Sequence, residues 1–169
     1  MKKILLAAVF CFAAIAANAQ TFKFGNINMN EVFEAMPERA QVQKEIEDLQ
    51  SKYESELSKM SEEYQNKVST YLAEQEKLEK SIAEARAQEI DQLQQRIQQF
   101  RDMAARDLQT QQQQKVAPII EKINKAVQAV GEKNAFTYIF DISAGNILFI
   151  SQTQCVDVLP LVKAELGIK

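Results

Sequence analysis

Histidine and tryptophan are absent from this 169-residue chain. Without histidine there is no His general base, no His metal ligand and no Ser–His or Cys–His nucleophile pair. Glycine occurs four times and proline three times, and no GxGxxG or P-loop can be found among them. There is no CxxC either, because the only cysteines are Cys11 and Cys155. Adjacent carboxylates such as Glu62 and Glu63 lie in strongly helical, polar sequence, where they read as a charged helix surface. The chain is therefore expected to be no enzyme, with no catalytic residue, no metal ligand and no cofactor.

The first 19 residues read as a cleaved export signal. Lys2 and Lys3 form a basic head, and Ile4 to Ala17 is an uncharged apolar run. Ala17-Asn18-Ala19 is a small-x-small cleavage site, which starts the mature chain at Gln20. The run has 14 residues, short of the roughly 20 that span a bilayer. Bulky Phe10 before Cys11 argues against lipid attachment. Processing leaves Cys155 as a lone thiol, so no internal disulfide is possible and a packed apolar thiol is its default reading. Removing Lys2 and Lys3 from 20 basic and 23 acidic residues leaves 18 and 23, a net charge of −5. That balance argues against nucleic acid and against more than peripheral membrane contact. Export with cleavage after Ala19 is the expectation.

Between Pro37 and Pro118 lie 80 residues, Glu38 to Ala117, with neither glycine nor proline. They are mostly Glu, Gln, Lys, Ala, Leu and Arg, all good helix formers. As one straight helix the stretch would reach roughly 120 Å, at about 1.5 Å per residue. Its patterning favours folding back instead. Apolar residues at Val42, Ile46, Leu49, Tyr53, Leu57, Met60, Tyr64, Val68 and Tyr71 are spaced 4, 3, 4, 4, 3, 4, 4, 3. That is an eleven-residue repeat, which keeps a stripe nearly parallel to the helix axis. A second stripe, Ile90, Leu93, Ile97, Phe100, Ala104 and Leu108, opens on heptad-like spacings. Each is narrow, suiting a seam between two helices and not a globular core. Ser81-Ile82-Ala83-Glu84 reads as a capping box and places the turn near 79–81. Pro118 is expected to kink the second helix. The tract Gln109 to Lys115 has no apolar side chain and reads as solvated helix.

The ends differ from the middle. Phe22 to Ile27 reads as a strand, with Gly25 a candidate bulge. Asn30 is a candidate cap for a short helix over 31–35. Phe136 to Ile142 and Ile147 to Ile150 read as two strands joined by a turn at 143–146 into a β-hairpin. A terminal helix is expected over about 157–166, with Pro160 in its first turn and Gly167 as its stop. The domain reading is signal peptide 1–19, body strand and short helix 20–36, helical hairpin arm 37–131, and body β-hairpin and helix 132–169. The fold class is α+β, mostly α: a long antiparallel helical hairpin on a small three-stranded β body. The later strands read apolar on both faces, more than one short helix can cover. The body is therefore expected to form an oligomer through Phe22, Phe24, Ile27, Tyr138, Ile139, Phe140, Ile147, Leu148, Phe149 and Ile150, the alternative being a monomer whose arm bases cover the sheet.

Two segments carry a family resemblance. Gly25-Asn26-Ile27-Asn28, with Val32-Phe33 and Pro37, resembles the opening of the Skp/OmpH family of periplasmic chaperones. Pro118 to Ala126, leading into Phe136-Thr137-Tyr138-Ile139-Phe140-Asp141, resembles that family's junction between arm and body. The resemblance covers essentially the whole mature chain. It implies a homotrimer and an ATP-independent holdase that cages unfolded outer-membrane proteins between its arms. One departure stands out. Members of that family can be strongly basic and are credited with meeting anionic lipid or lipopolysaccharide, whereas residues 38–131 here carry 17 acidic and 14 basic side chains. No lipopolysaccharide-binding residue is carried over.

Soft, adaptable side chains on mixed-charge walls suit weak contacts with many sequences. Tyr53, Met60, Tyr64 and Tyr71 are the candidate client contacts, with ordinary seam packing as the competing role. A structural or tethering coiled-coil protein of the envelope is the rival functional class. A prefoldin-like chaperone fits less well, since it places its strands between its helices.

Overall fold

The computed structural model describes residues 22–168. The signal-peptide segment and the Ala19 cleavage site lie outside the described residues. The chain runs β1 (Phe24–Ile27), α1 (Met29–Ala35), α2 (Pro37–Glu74), a 3₁₀ turn (Gln75–Lys77), α3 (Lys80–Lys133), β2 (Tyr138–Asp141), β3 (Cys155–Asp157) and α4 (Leu159–Leu166). It divides into two compact units, one of residues up to Val32 together with 123 onwards, the other Phe33–Lys122.

The first unit is built on a sheet of order β2-β1-β3, in which both outer strands run parallel to β1. The expected C-terminal β-hairpin is therefore corrected. The turn after β2 does form: the Ser143 N–H donates to Asp141 Oδ1 at 2.8 Å and Gly145 takes φ +68°. The chain does not return beside β2, however. β2 and β3 flank β1 and both run parallel to it, so they are parallel to each other, and parallel strands need a crossover instead of a tight turn. Residues 142–154 make that crossover, so Ile147–Ile150 is not a strand and Cys155–Asp157 takes its place. The apolar run had the composition of a buried strand, but composition does not say which segment reaches the edge of β1.

Gly25 is not a bulge. Its register is continuous with Ile139 on one side and Val156 on the other. A Cβ there would meet Val158 Cγ1 at 3.0 Å, Ile139 Cγ1 at 3.1 Å and Phe136 Cδ1 at 3.3 Å. Glycine is required by close packing against the covered face of the sheet. That face carries the core of the unit, where Ile27, Val32, Ile123, Ala126, Val130, Val158 and Val162 are buried.

Asn28, not Asn30, caps α1. Its Oδ1 accepts from the N–H groups of Asn30 (3.1 Å) and Glu31 (3.4 Å), and its Nδ2 donates to Glu31 Oε1 at 2.7 Å. The Met29 N–H donates to Asp141 Oδ1 at 3.3 Å, joining the start of α1 to the end of β2. Burial pushes the Asp141 carboxyl up, but hydrogen bonds from Ser143 and from the Met29 N–H outweigh it and leave the group below its ordinary value. Pro160 sits in the first turn of α4 and Gly167 ends it at φ +71°, both as the sequence indicated.

The second unit holds α2, of 38 residues, and α3 as far as Lys122. The helical path breaks over Gln75–Glu79, a few residues before the expected turn. Ser81 and Glu84 form no capping box, because α3 already starts at Lys80, where the Glu79 carbonyl accepts from the N–H groups of Ile82 and Ala83. The helix continues through Pro118 and through the Gln109–Lys115 tract to Lys133.

Where α3 gives way to β2, Ala135 adopts φ +53°. A Cβ in left-handed backbone costs roughly 1 kcal/mol. Ala135→Gly is expected to raise unfolding free energy by about 0.5 kcal/mol after the glycine's greater unfolded-state entropy is counted. A urea titration followed by far-UV circular dichroism checks this, and a lower midpoint contradicts it.

Candidate functional site: the helical seam and the open sheet face

Every apolar position of the first stripe, from Val42 to Tyr71, is half-buried, and α2 has no fully buried residue. On α3, Leu93, Ile97, Ala104 and Ile119 are buried. The side chains between the helices are held in register by polar contacts. Glu38 accepts from Lys122, Glu45 from Lys115 at 2.6 Å, Lys67 donates to Glu89 at 2.7 Å, and Glu74 accepts from Arg86. Between them the Tyr53 hydroxyl donates to Asp107 Oδ2 at 2.6 Å. The residue numbers in four of these five pairs total 160, and 67 with 89 total 156. A near-constant total is the signature of one antiparallel register maintained along the unit.

These contacts set the local electrostatics. The Lys122 hydrogen bond holds the Glu38 carboxyl below its ordinary range, and Lys115 does the same for Glu45 and Lys67 for Glu89. The Asp107 hydrogen bond pushes the Tyr53 phenol up from its ordinary 10.0.

Polarity alone hides this part of the seam: Gln109–Lys115 has no apolar side chain and is expected to be solvated, yet Gln111 and Lys115 are half-buried. A signal was present. Continuing the second stripe from Phe100 through Ala104, Leu108, Gln111, Lys115, Ile119, Ile123, Ala126 and Val130 gives spacings of 4, 4, 3, 4, 4, 4, 3, 4. The stripe does not stop at Leu108. It passes two polar residues whose long alkyl stems cover the seam while their heads reach outward.

The four candidate contact residues fall into different settings. Tyr53 is engaged twice, by Asp107 and by the Phe100 ring in an edge-on contact at 5.9 Å. Tyr71 lines a cleft of about 680 Å³ with Lys67, Glu74, Arg86, Glu89 and Ile90. Tyr64 lines another of about 580 Å³ with Ser61, Asp91, Gln94, Gln98 and Arg101. Met60 is half-buried on the stripe and lines neither.

The sheet has one covered and one open face. Because side chains alternate along a strand, Phe24, Tyr138, Phe140 and Cys155 share the face away from Gly25 and Ile27. Phe24 stacks on Tyr138 at 6.4 Å and meets Phe140 at 6.2 Å, and Phe22 extends the row at 6.4 Å from Phe24. Tyr138 is 62% exposed, Leu148 98% and Phe149 82%. Phe24, Phe140, Ile147, Phe149, Ile150 and Cys155 line a shallow apolar cleft of about 310 Å³. Two residues expected at an interface lie elsewhere: Ile27 is 2% exposed inside its own unit, and Ile139 is half-buried on the covered face. In-register parallel pairing puts both beside Gly25 and away from the aromatic row. Among the described residues no cluster of His, Cys, Asp and Glu could hold a metal ion, and no helix is long and apolar enough to cross a membrane.

Two long paired helices and a three-stranded parallel sheet with one bare aromatic face define a mostly helical α+β protein of the helical-hairpin class. The chain belongs to the outer membrane protein (OmpH-like) family, whose model matches residues 23–166. That family is not one of enzymes. The chain is 27% identical over 153 residues to the chaperone protein Skp of Photorhabdus luminescens, covering 85% of this chain and 88% of the relative. It is equally similar, 27% over 153 residues, to the chaperone protein Skp of Photorhabdus laumondii. Its fold matches that of an OmpH-like protein of Caulobacter crescentus with a TM-score of 0.73 at 12% identity, over 86% of this chain and 83% of that one.

The Tyr53–Asp107 contact carries a pH consequence. Tyr53 titrates above its unfolded value, so its contribution to the paired state is complete below about pH 10 and is lost as pH rises through the higher folded value. In a 295 nm titration of the native protein, a phenol ionising later than 10.0 is expected to disappear in Tyr53→Phe and to move down in Asp107→Asn. An identical titration curve in both variants contradicts the assignment.

Proposed function

We propose that this protein is an ATP-independent holdase chaperone of the periplasm. In this reading it assembles as a homotrimer and cages unfolded outer-membrane proteins between helical arms, keeping them from aggregating. The observation that carries it is family membership joined to a chaperone role in similar relatives. The molecule's physics supports the reading. Capture without ATP must be reversible and weak per contact. The groove walls around Tyr64 and Tyr71 mix both signs of charge with scattered apolar surface, which suits contact without sequence selection. Tyr64, Tyr71 and Met60 are the client contacts in this reading, and Tyr53 serves the seam.

Assembly is assigned to the bare face of the sheet. Phe22, Tyr138, Phe140, Leu148 and Phe149 are all exposed, and Phe149 lines one cleft with Phe24 and Phe140; a contiguous exposed apolar patch marks an interaction surface. Copies of the same chain joined through this face would cover it. In this reading the chain keeps a cleaved signal peptide over 1–19, body segments over 20–36 and 132–169 and a helical arm over 37–131, with a crossover and third strand in place of the C-terminal hairpin.

Diluting a denatured outer-membrane β-barrel protein from urea tests the function. Light scattering is expected to fall to near baseline at a modest molar excess of this protein, with no nucleotide present. No suppression at any ratio moves the assignment to an envelope tether. The paired substitution Leu148→Asp and Phe149→Asp is expected to convert the sedimenting species to monomer while far-UV helicity persists. An unchanged mass removes the open face from the interface.

A further inference from the structure

The polar contacts between α2 and α3 have a further consequence. We propose that this seam is an acid-opened latch: protonating its carboxylates lets the two helices part while each stays helical, exposing the apolar stripe to unfolded chains. This deepens the chaperone reading by naming a condition that regulates the same surface.

Three observations carry it. The first is geometry. Among the described residues, four carboxylate–cation pairs cross between the helices: Glu38 with Lys122, Glu45 with Lys115, Glu89 with Lys67 and Glu74 with Arg86. Only two helices pack here, so the charged groups facing each carboxylate are few. Gln41 also donates to Glu45 from its own helix, Lys67 also reaches Glu63 at 4.0 Å, and Arg86 and Arg96 act on Glu89 from its own helix. The fifth crossing, Tyr53 to Asp107, also accepts on a carboxylate.

The second is what lies beneath the pairs. With no fully buried residue on α2, the apolar stripe alone is a thin adhesive. Residues 38–131 hold 17 carboxylates against 14 cations. Neutralising the carboxylates leaves the cations to repel along both helices.

The third is that each helix has its own support. Gln41 donates to Glu45, Gln43 to Glu47, Gln50 to Glu54 and Gln98 to Asp102, all four residues apart on one helix. Such pairs support a helix whether or not a neighbour is present. A protonated carboxyl still accepts through its carbonyl oxygen, so these bonds survive acid.

The sign follows from linkage. Glu38, Glu45 and Glu89 titrate below their ordinary value of 4.5, held there by hydrogen bonds from Lys122, Lys115 and Lys67, so their contribution is complete above that pH and is lost as pH falls through the lower folded values. The opening therefore belongs below pH 4.5, not at neutrality.

Spin labels on Ser55→Cys and Ala105→Cys, both exposed and in register across the seam, with Cys155→Ser, report the separation in the full mature chain by pulsed dipolar spectroscopy. Going from neutral pH to about pH 3 is expected to lengthen the label distance by about one helix diameter, roughly 10 Å, with far-UV helicity retained. The quadruple variant Glu38→Gln, Glu45→Gln, Glu74→Gln and Glu89→Gln is expected to show the longer distance already at neutral pH. An unchanged distance in both arms overturns the proposal, and so does lengthening accompanied by loss of helicity, which is melting. No client is present in this measurement, so it can fail while the holdase reading at neutral pH stands.

Discussion

Everything in the helical unit follows from the narrowness of one apolar stripe. An eleven-residue repeat places a single side chain per turn on a line nearly parallel to the helix axis, and two such lines make a seam one residue wide. A seam this thin cannot specify its own register strongly, since sliding one helix past the other by a turn would bring a similar set of apolar groups together. The polar crossings supply what the stripe lacks. Glu38, Glu45, Tyr53, Lys67 and Glu74 meet Lys122, Lys115, Asp107, Glu89 and Arg86 in one antiparallel register. A slip of four residues would part every one of these pairs, setting Glu38 against Ala126 or Pro118, Glu45 against Ile119 or Gln111 and Glu74 against Ile90 or Ile82, and would leave Tyr53 without Asp107. The same groups that fix the register stand near water, so the structure is specified by interactions that are individually weak.

The sheet unit solves the opposite problem. β1 is four residues long and central, so it must find both neighbours from the far end of the chain. Gly25 lets the covered face close tightly on Val158 and Phe136. The alternation that sends Gly25 and Ile27 inward sends Phe24 and Asn26 outward, beside Tyr138 and Phe140. One short strand thereby creates a dense core on one side and a bare aromatic row on the other. The covered side stabilises the unit, and the bare side is the surface to which assembly is assigned.

Much of this was legible in the residues. The long Gly- and Pro-free stretch, its two stripes, the place of Pro160 in the first turn of α4 and the stop at Gly167 are local properties, set by backbone preference and helical periodicity. Less legible was anything that depends on which distant segments meet. Ile147–Ile150 has strand composition and is not a strand, while Cys155–Asp157 has little and is one. The difference lies in reach to the edge of β1, which no local pattern encodes. Asn28 outcompeted Asn30 as a cap because the Asn28–Glu31 pair satisfies donors reciprocally, a spacing visible in the sequence and passed over. Gln111 and Lys115 were read as solvent-facing because their heads are polar, although the periodicity put their stems on the seam.

The amino-acid order alone settled that the middle of this chain is helical, that no histidine is available to it, and where the apolar lines run. Helix propensity and periodicity act over a few residues, and a few residues are enough to state them. Only the tertiary structure decided which carboxylate meets which cation, which face of the sheet is left bare, and that β1 lies between two parallel partners. Those are relations between segments separated by up to about 130 positions, such as Phe24 with Cys155, and they exist only once the intervening chain has folded.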